Sequence, residues 1–354
     1  MRSFPPFLYG IRLAPVLATL AVGIAGGGLA ALAGLPIPWL TGAMAGVAVA
    51  AVAGAPMVLP ESWRLPVFVV LGISMGSGLT PEAVAAARTW PLSLLALAVA
   101  VPAMMLASVA VIARVPGWDR KSALLAATPG ALSYVLAVAV ESGVDVSRVA
   151  IVQAMRLVIL VLVLPALIVY IGQAGVPDLP AVHEVPWGEL LVLAAACGVG
   201  GMLSQRLRVP GGLLFGPMLV SALAHGTGWT HARVPPEVLG PAMLVLGCFI
   251  GARFTGIGWR VFRASLGIGI LNLVLAMLVA VAFSLAVSAL TGLPVGQTLL
   301  AFAPGGAEAM AVMAFALDLD PAYVAVHHVA RFMGLGLMLP IVLRLLGMGQ
   351  GRQK

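Results

Sequence analysis

The stretch Phe302-Ala303-Pro304-Gly305-Gly306-Ala307-Glu308 has a counterpart in Ala127-Thr128-Pro129-Gly130-Ala131-Leu132-Ser133, at an offset of 175 (304 − 129). Proline removes a backbone donor and glycine costs helicity, so each Pro-Gly pair interrupts a helix. The same offset joins Asp145 to Asp320, Arg156 to Arg331 and Pro165 to Pro340. It also joins Gly72, Gly76 and Thr80 to Gly247, Gly251 and Thr255. At 174 (210 − 36), Pro36, Gly42 and Met44 recur as Pro210, Gly216 and Met218, and Gly26-Gly27 as Gly200-Gly201. Alanine-rich sequence aligns with itself by chance, but rare residues held in register do not. The pattern is that of an internal duplication.

The interrupted runs lie in a chain made for lipid. Of 354 residues, 62% are hydrophobic and 9% charged, with a mean hydropathy of +1.12. A soluble domain carries roughly 25% charged residues. A soluble enzyme, a disordered chain and a coiled coil are therefore excluded, which leaves a polytopic all-α membrane protein whose backbone satisfies its own hydrogen bonds. Apolar spans fall at about 13–34, 37–55, 65–80, 91–113, 122–140 and 149–172. A second series falls at about 187–205, 211–226, 236–254, 262–291, 297–317 and 322–347. Each is near the roughly 20 residues that cross a bilayer, with 65–80 and 211–226 on the short side. The expected organisation is a membrane repeat over 1–172, a Pro-rich acidic linker over 173–186 and a second repeat over 187–354. The run Leu13–Ala33 exceeds the 7–15 residues of a signal-peptide core and has a later counterpart, so it reads as a mature helix.

Charge sets the expected orientation. The net charge is +7, from 19 Lys and Arg against 12 Asp and Glu, and in a membrane protein such an excess marks cytoplasmic loops. If six spans crossed in each repeat, Arg206, Arg208, Arg253, Arg260 and Arg263 would face outward, against that rule. If the Pro-Gly segment does not fully cross, those arginines fall inside together with Arg2, Arg12, Arg64, Arg114, Arg120, Lys121, Arg344, Arg352 and Lys354. The acidic linker then lies outside, and the exceptions are Arg88, Arg148 and Arg233. The expectation is thus two inverted repeats, each with about five spanning helices and one broken Pro-Gly segment. The expected location is the bacterial cytoplasmic membrane, as a multi-pass protein.

Candidate site residues follow from the breaks. Broken backbone at membrane depth is tolerated where it lines a cavity, and a half-helix N-terminus there favours an anion or a carboxylate. That selects Pro129, Gly130 and Ser133 in the first repeat and Pro304, Gly305, Gly306 and Glu308 in the second. Glu308 stands ten residues before the next charge, Asp318, and an intramembrane carboxylate is a functional candidate by default. It either caps its half-helix electrostatically, or binds a coupling cation or proton, or orders the substrate site. Arg331 lies 11 residues after Asp320 and 13 before Arg344, roughly 15–20 Å from either end at 1.5 Å per residue. Gln153 and His328 also correspond (328 − 153 = 175) and each precedes its arginine by three residues, on the same helix face. The pairs Gln153/Arg156 and His328/Arg331 either cap carbonyls exposed at the break, or pair with Glu308, or recognise an anion bidentately. Lone prolines such as Pro102, Pro165 and Pro340 read as ordinary kinks.

Other chemistries find little support. His327 and His328 are adjacent and point about 100° apart, and His183, His225 and His231 are scattered, so no metal-site spacing occurs. Cys197 and Cys248 lie in apolar stretches and read as core residues. Gly76 to Thr80 lacks a phosphate-loop lysine, Gly26-Gly27-Gly28 suits close helix packing, and no nucleophile–base motif is present. No cofactor, metal or enzymatic activity is expected, nor direct contact with nucleic acid.

The paired Ala127-Thr128-Pro129-Gly130 and Ala303-Pro304-Gly305-Gly306-Ala307-Glu308-Ala309-Met310 segments, each followed by an intramembrane arginine, resemble the AbrB-type duplicated membrane protein family. Leu35-Pro36-Ile37-Pro38-Trp39-Leu40-Thr41-Gly42 fits its opening motif, and the resemblance runs from about Leu13 to Leu346. The family is grouped with cation–proton antiporters and anion transporters, so the resemblance implies inverted repeats, broken helices and secondary transport. It also carries the labels ammonia monooxygenase and regulator of gene expression. A monooxygenase needs a redox metal, for which ligands are missing, and a transcription factor needs a water-exposed reading element, for which no connection is long enough. The leading expectation is a transporter of a small solute, with an anion favoured, working by alternating access at the two broken segments. The rival is a membrane protein that acts indirectly in regulation without transport. The lipid bilayer and a small-molecule or ionic substrate are the expected partners, and a homo-oligomer is compatible with the sequence.

Overall fold

The computed structural model describes residues 13–78, 88, 90–129, 132–174 and 186–345. Among them the chain forms α-helices, short 3-10 turns and loops, with no strand. The first half holds α1 (Leu13–Leu32), α2 (Pro38–Val52), α3 (Arg64–Gly76), α4 (Trp90–Ile112), α5 (Arg120–Ala127), α6 (Leu132–Glu141) and α7 (Val146–Tyr170). The second holds α8 (Trp187–Arg206), α9 (Gly212–Gly226), α10 (Pro236–Gly251), α11 (Trp259–Thr291), α12 (Val295–Phe302), α13 (Ala307–Ala316) and α14 (Pro321–Leu345). Helix starts recur with the offsets of the rare residues: α1 to α8 at 174 (187 − 13), and α5, α6 and α7 to α12, α13 and α14 at 175 (295 − 120). Among the described residues seven helices are long and apolar enough to cross a membrane, namely α1, α4, α7, α8, α10, α11 and α14, with α2, α9 and α13 shorter. The protein is an all-helical, multi-pass membrane protein.

The spans expected at 122–140 and 297–317 are each two short helices, α5 with α6 and α12 with α13. Side-chain hydrogen bonds give their course. Arg148 at the start of α7 donates to the Gly117 carbonyl ahead of α5 (3.2 Å), Gln153 to Leu125 (2.9 Å) and Arg156 to Thr128 (3.2 Å). Partners on α5 and α7 advance together, so these helices run parallel and begin at the same end. The intervening α6 has ten residues, about 15 Å, and returns the chain to that end before α7 starts. Pro129 therefore lies at the tip of a helical hairpin.

The second repeat behaves alike: the Asp320 N–H donates to Gln297 (3.4 Å), His328 to Leu300 (3.0 Å) and Arg331 to Ala303 (2.7 Å). Its mouth lies elsewhere. The Val295 N–H donates to Gln173 Oε1 (3.0 Å), just past the far end of α7. The two hairpins open toward opposite ends of α7.

Aspartates start the helices that follow each hairpin. Asp145 accepts from the N–H groups of Ser147 and Arg148 (3.0 and 3.2 Å). Its counterpart Asp320 accepts from those of Ala322 and Tyr323 (2.8 and 3.1 Å). Each satisfies donors that the first helical turn leaves unpaired. Asp320→Ala is expected to lower stability by about 1–2 kcal/mol, read as a lower midpoint of thermal unfolding in detergent.

Glycines interlock the halves. Gly26 on α1 meets Gly42 on α2, and Gly200 on α8 meets Gly216 on α9. Across the repeats, α3 lays Gly72 and Gly76 on Pro217, Met218 and Ser221 of α9, while α10 lays Gly247 and Gly251 on Leu40, Met44 and Val47 of α2. Ser221 Oγ donates to the Ile73 carbonyl (2.9 Å), fixing one of these crossings. Helices α1, α2, α3, α8, α9 and α10 thus form one bundle. The hairpins, α4, α7, α11 and α14 form another, in which Asn272 of α11 donates to the Ala126 carbonyl (3.2 Å). Contacts between the bundles are sparse, chiefly α2 with α7 and α3 with α13.

Candidate functional site

Both hairpin tips are held by the paired polar residues of the long helix beside them. Arg156 is 3% exposed, and both its Nη atoms donate to the Thr128 carbonyl (3.2 Å each), where α5 ends. Arg331 is 2% exposed; Nη1 donates to the Ala303 carbonyl (2.7 Å) and Nη2 to that of Gly305 (2.9 Å). Carbonyls at a helix C-terminus lack intrahelical partners and carry partial negative charge, so a guanidinium there satisfies both needs. Of the readings left open for these arginines, carbonyl capping is what the geometry displays. Neither forms an ion pair with Glu308, whose nearest cation is Arg64 at 3.9 Å.

Pro304 and Gly305 make the turn, with the Gly305 N–H donating to the Ala303 carbonyl (2.8 Å). The side chain of Met310 folds against Gly305 where a Cβ would stand, so a larger residue there would have to displace that methionine. Gly306 precedes α13 without a side-chain cap, and Glu308 occupies the first turn of that helix, where the dipole favours its charge. In the first repeat Thr128 and Pro129 are described, Gly130 lies outside the described residues, and Ser133 sits on α6 with its side chain outside them.

A cavity of about 840 Å³ opens between the two bundles. Gln153 and Arg156 of α7, Pro304 to Glu308 at the second tip, and Phe332 of α14 line one wall. Arg64, Arg208, Pro210, Gly211 and Arg253 line the other. Four arginines and one glutamate share this lining. Arg64, Arg208 and Arg253 were legible only as markers of orientation, because each sits in or beside a connection. Folding brings those connections over the second hairpin tip and turns topological charges into cavity charges. His328 and Arg331 lie behind the tip rather than in the lining.

A buried cluster on α14 also escaped the sequence. His327 Nδ1 bonds to the Tyr323 carbonyl (2.8 Å), and its Nε2 meets Ser93 Oγ of α4. Tyr323 packs its ring 4.1 Å from that of His327. His327 and Ser93 are 234 residues apart, and no local spacing announces them. Among the described residues, no three His, Cys, Asp or Glu side chains are grouped to hold a metal.

The family described as Transition state regulatory protein AbrB matches residues 10–347. A Bacillus subtilis (strain 168) protein named YhjN, described as uncharacterized, is 27% identical over 368 residues, covering 95% of this chain and 94% of its own length. An Escherichia coli (strain K12) protein whose name describes it as a candidate regulator, AbrB, is 24% identical over 322 residues, covering 88% of this chain and 90% of its own.

Proposed function

The chain belongs to the AbrB family, and from that premise we propose that it is a secondary transporter of a small anionic solute, working by alternating access in a bacterial cytoplasmic membrane. The observation that carries the reading is the arginine-lined cavity between two sparsely connected bundles, ending on a helical hairpin tip. Cavity charge selects the solute. Arginine presents a planar fork to carboxylate or phosphate, and low-dielectric walls raise the local concentration of the opposite charge. The uncapped start of α13 adds a partial positive charge at the same wall.

Architecture supports the movement. Hairpins opening toward opposite ends of α7 fit an inverted duplication, in which an exchange of the two repeats' conformations turns the access path from one side to the other. Positive charge favours a cavity mouth on the cytoplasmic side, since Arg64, Arg208 and Arg253 all lie in or beside connections that the positive-inside rule puts there. No bond is made or broken in this reading, and the chain is not an enzyme.

Regulation without transport is the second reading, favoured by the name of the Escherichia coli relative. A regulator would bind its ligand and pass the signal to a partner, with no solute crossing.

The test begins with a thermal-shift screen of small carboxylates, phosphate and sulfate against purified protein. A stabilising anion is expected, and Arg253→Ala should weaken its binding about tenfold, the size of one unit-charge interaction across a partly screened cavity. Glu308→Gln removes the one carboxylate among the described lining residues and should tighten the same anion several-fold. Cations that stabilise the protein through Glu308 instead, with anions inert, would refute the substrate class.

A further inference from the structure

The two tips are held by different chemistry. Gln153 Nε2 donates to Leu125 and stands apart from the bonds of Arg156. His328, its counterpart, is fully buried and uses both ring nitrogens: Nε2 bonds to the Leu300 carbonyl (3.0 Å), and Nδ1 to Arg331 Nη2 (2.6 Å). A carbonyl only accepts and a guanidinium only donates. His328 is therefore neutral here, with its proton on Nε2 and the Nδ1 lone pair accepting from Arg331. A second proton would turn that acceptor into a donor facing a donor and set two cations side by side.

We propose that His328 is a proton-binding site linked to the second hairpin tip: a proton on Nδ1 displaces Arg331 and releases the carbonyls of Ala303 and Gly305. Proton binding and unlatching are one event, so acid favours the unlatched tip because that state binds the extra proton. The first tip has no such dependence, since an amide does not titrate.

The surrounding groups fit this assignment. On its own helix His328 faces Arg331 and neighbours His327, with Asp320 two turns earlier at the cap. From α12 it meets the Leu300 carbonyl, and from α7 the charge of Arg156 bears on Arg331. On α13, Glu308 turns toward Arg64 on α3. His327 is a different case. Its Nε2 meets a serine hydroxyl from α4, which can donate or accept and also lies 3.1 Å from the Trp90 carbonyl. A proton there is absorbed by turning that hydroxyl, with no bond to either tip lost.

The inference concerns the tip itself and stands whether or not a solute moves, so its test reads tip exposure. A reporter cysteine, Ala307→Cys, is placed at the buried start of α13, and a reference, Thr227→Cys, in an exposed connection. The native Cys197 and Cys248 are buried. Labelling by a methanethiosulfonate, taken as the tip-to-reference ratio, should rise about tenfold from about pH 8 to about pH 5, the range of histidine titration. His328→Gln restores the chemistry of the first repeat and should give a flat ratio. His328→Asn serves the same purpose if the glutamine variant does not purify. A flat ratio with His328 present overturns the proposal, and so does a rise that persists with either amide.

Discussion

Arg331→Ala is expected to abolish solute movement while the protein still inserts. Its guanidinium holds two tip carbonyls, Ala303 and Gly305, in a site 2% exposed. An orphaned buried carbonyl costs about 1–3 kcal/mol, so the second tip loses a few kcal/mol of local order. The start of α13, Glu308 and the adjoining cavity wall lose their fixed positions with it. Rates should fall at least about a hundredfold, since misplacing a binding group by about 1 Å costs that much. Size-exclusion chromatography of the detergent-solubilised variant should remain monodisperse, because the glycine-packed bundle does not depend on this residue. Arg331→Lys should recover only part of the rate, as a single ammonium cannot span two carbonyls in a fixed fork. Unchanged transport in the alanine variant would remove the arginine from the account.

Gly76→Val should prevent accumulation of folded protein. A Cβ at this position would overlap the Met218 carbonyl and stand 2.6 Å from Ser221 Cβ and 2.8 Å from the Ala222 nitrogen. Two of those obstacles are backbone, which no side-chain rotamer can clear. Forcing atoms into packed space costs about 1–3 kcal/mol and more where backbone must move. A valine here adds two methyls beyond the Cβ, so the loss exceeds that of most single substitutions. Gly28→Ala is the matched control, since nothing lies within 4 Å of its added carbon. Detergent-solubilised yield and unfolding midpoint should fall sharply for the first and stay unchanged for the second.

These substitutions also mark what the sequence could and could not tell. Gly76 was legible through its repeat partner Gly251, but its task was not, because the helix it meets belongs to the other half of the chain. The run Gly26-Gly27-Gly28 suited close packing as a block, yet only the first two face a neighbour. The Pro-Gly breaks were legible from local chemistry. Loop charge added the expectation that they do not fully cross, but the course of the first hairpin beside α7 was not legible, since it depends on α5 lying parallel to α7, a tertiary fact. Gln153, Arg156, His328 and Arg331 were singled out by spacing, and all four engage the hairpin in front of them. The other three cavity arginines, Arg64, Arg208 and Arg253, were hidden for a physical reason. A charge near a membrane surface has the same sequence signature whether it anchors topology or lines a solute path.

The central claim is that the arginine-lined cavity carries an anion across the bilayer rather than merely holding it. Counterflow tests it most directly. Protein is reconstituted in vesicles loaded with an excess of whichever anion stabilises it, and a trace of the same anion in radiolabelled form is added outside. Transient accumulation of label above its equilibrium level, absent with Arg331→Ala, is the predicted result. Binding of that anion with no accumulation, whatever proton gradient is imposed, would contradict transport and leave the regulatory reading in its place.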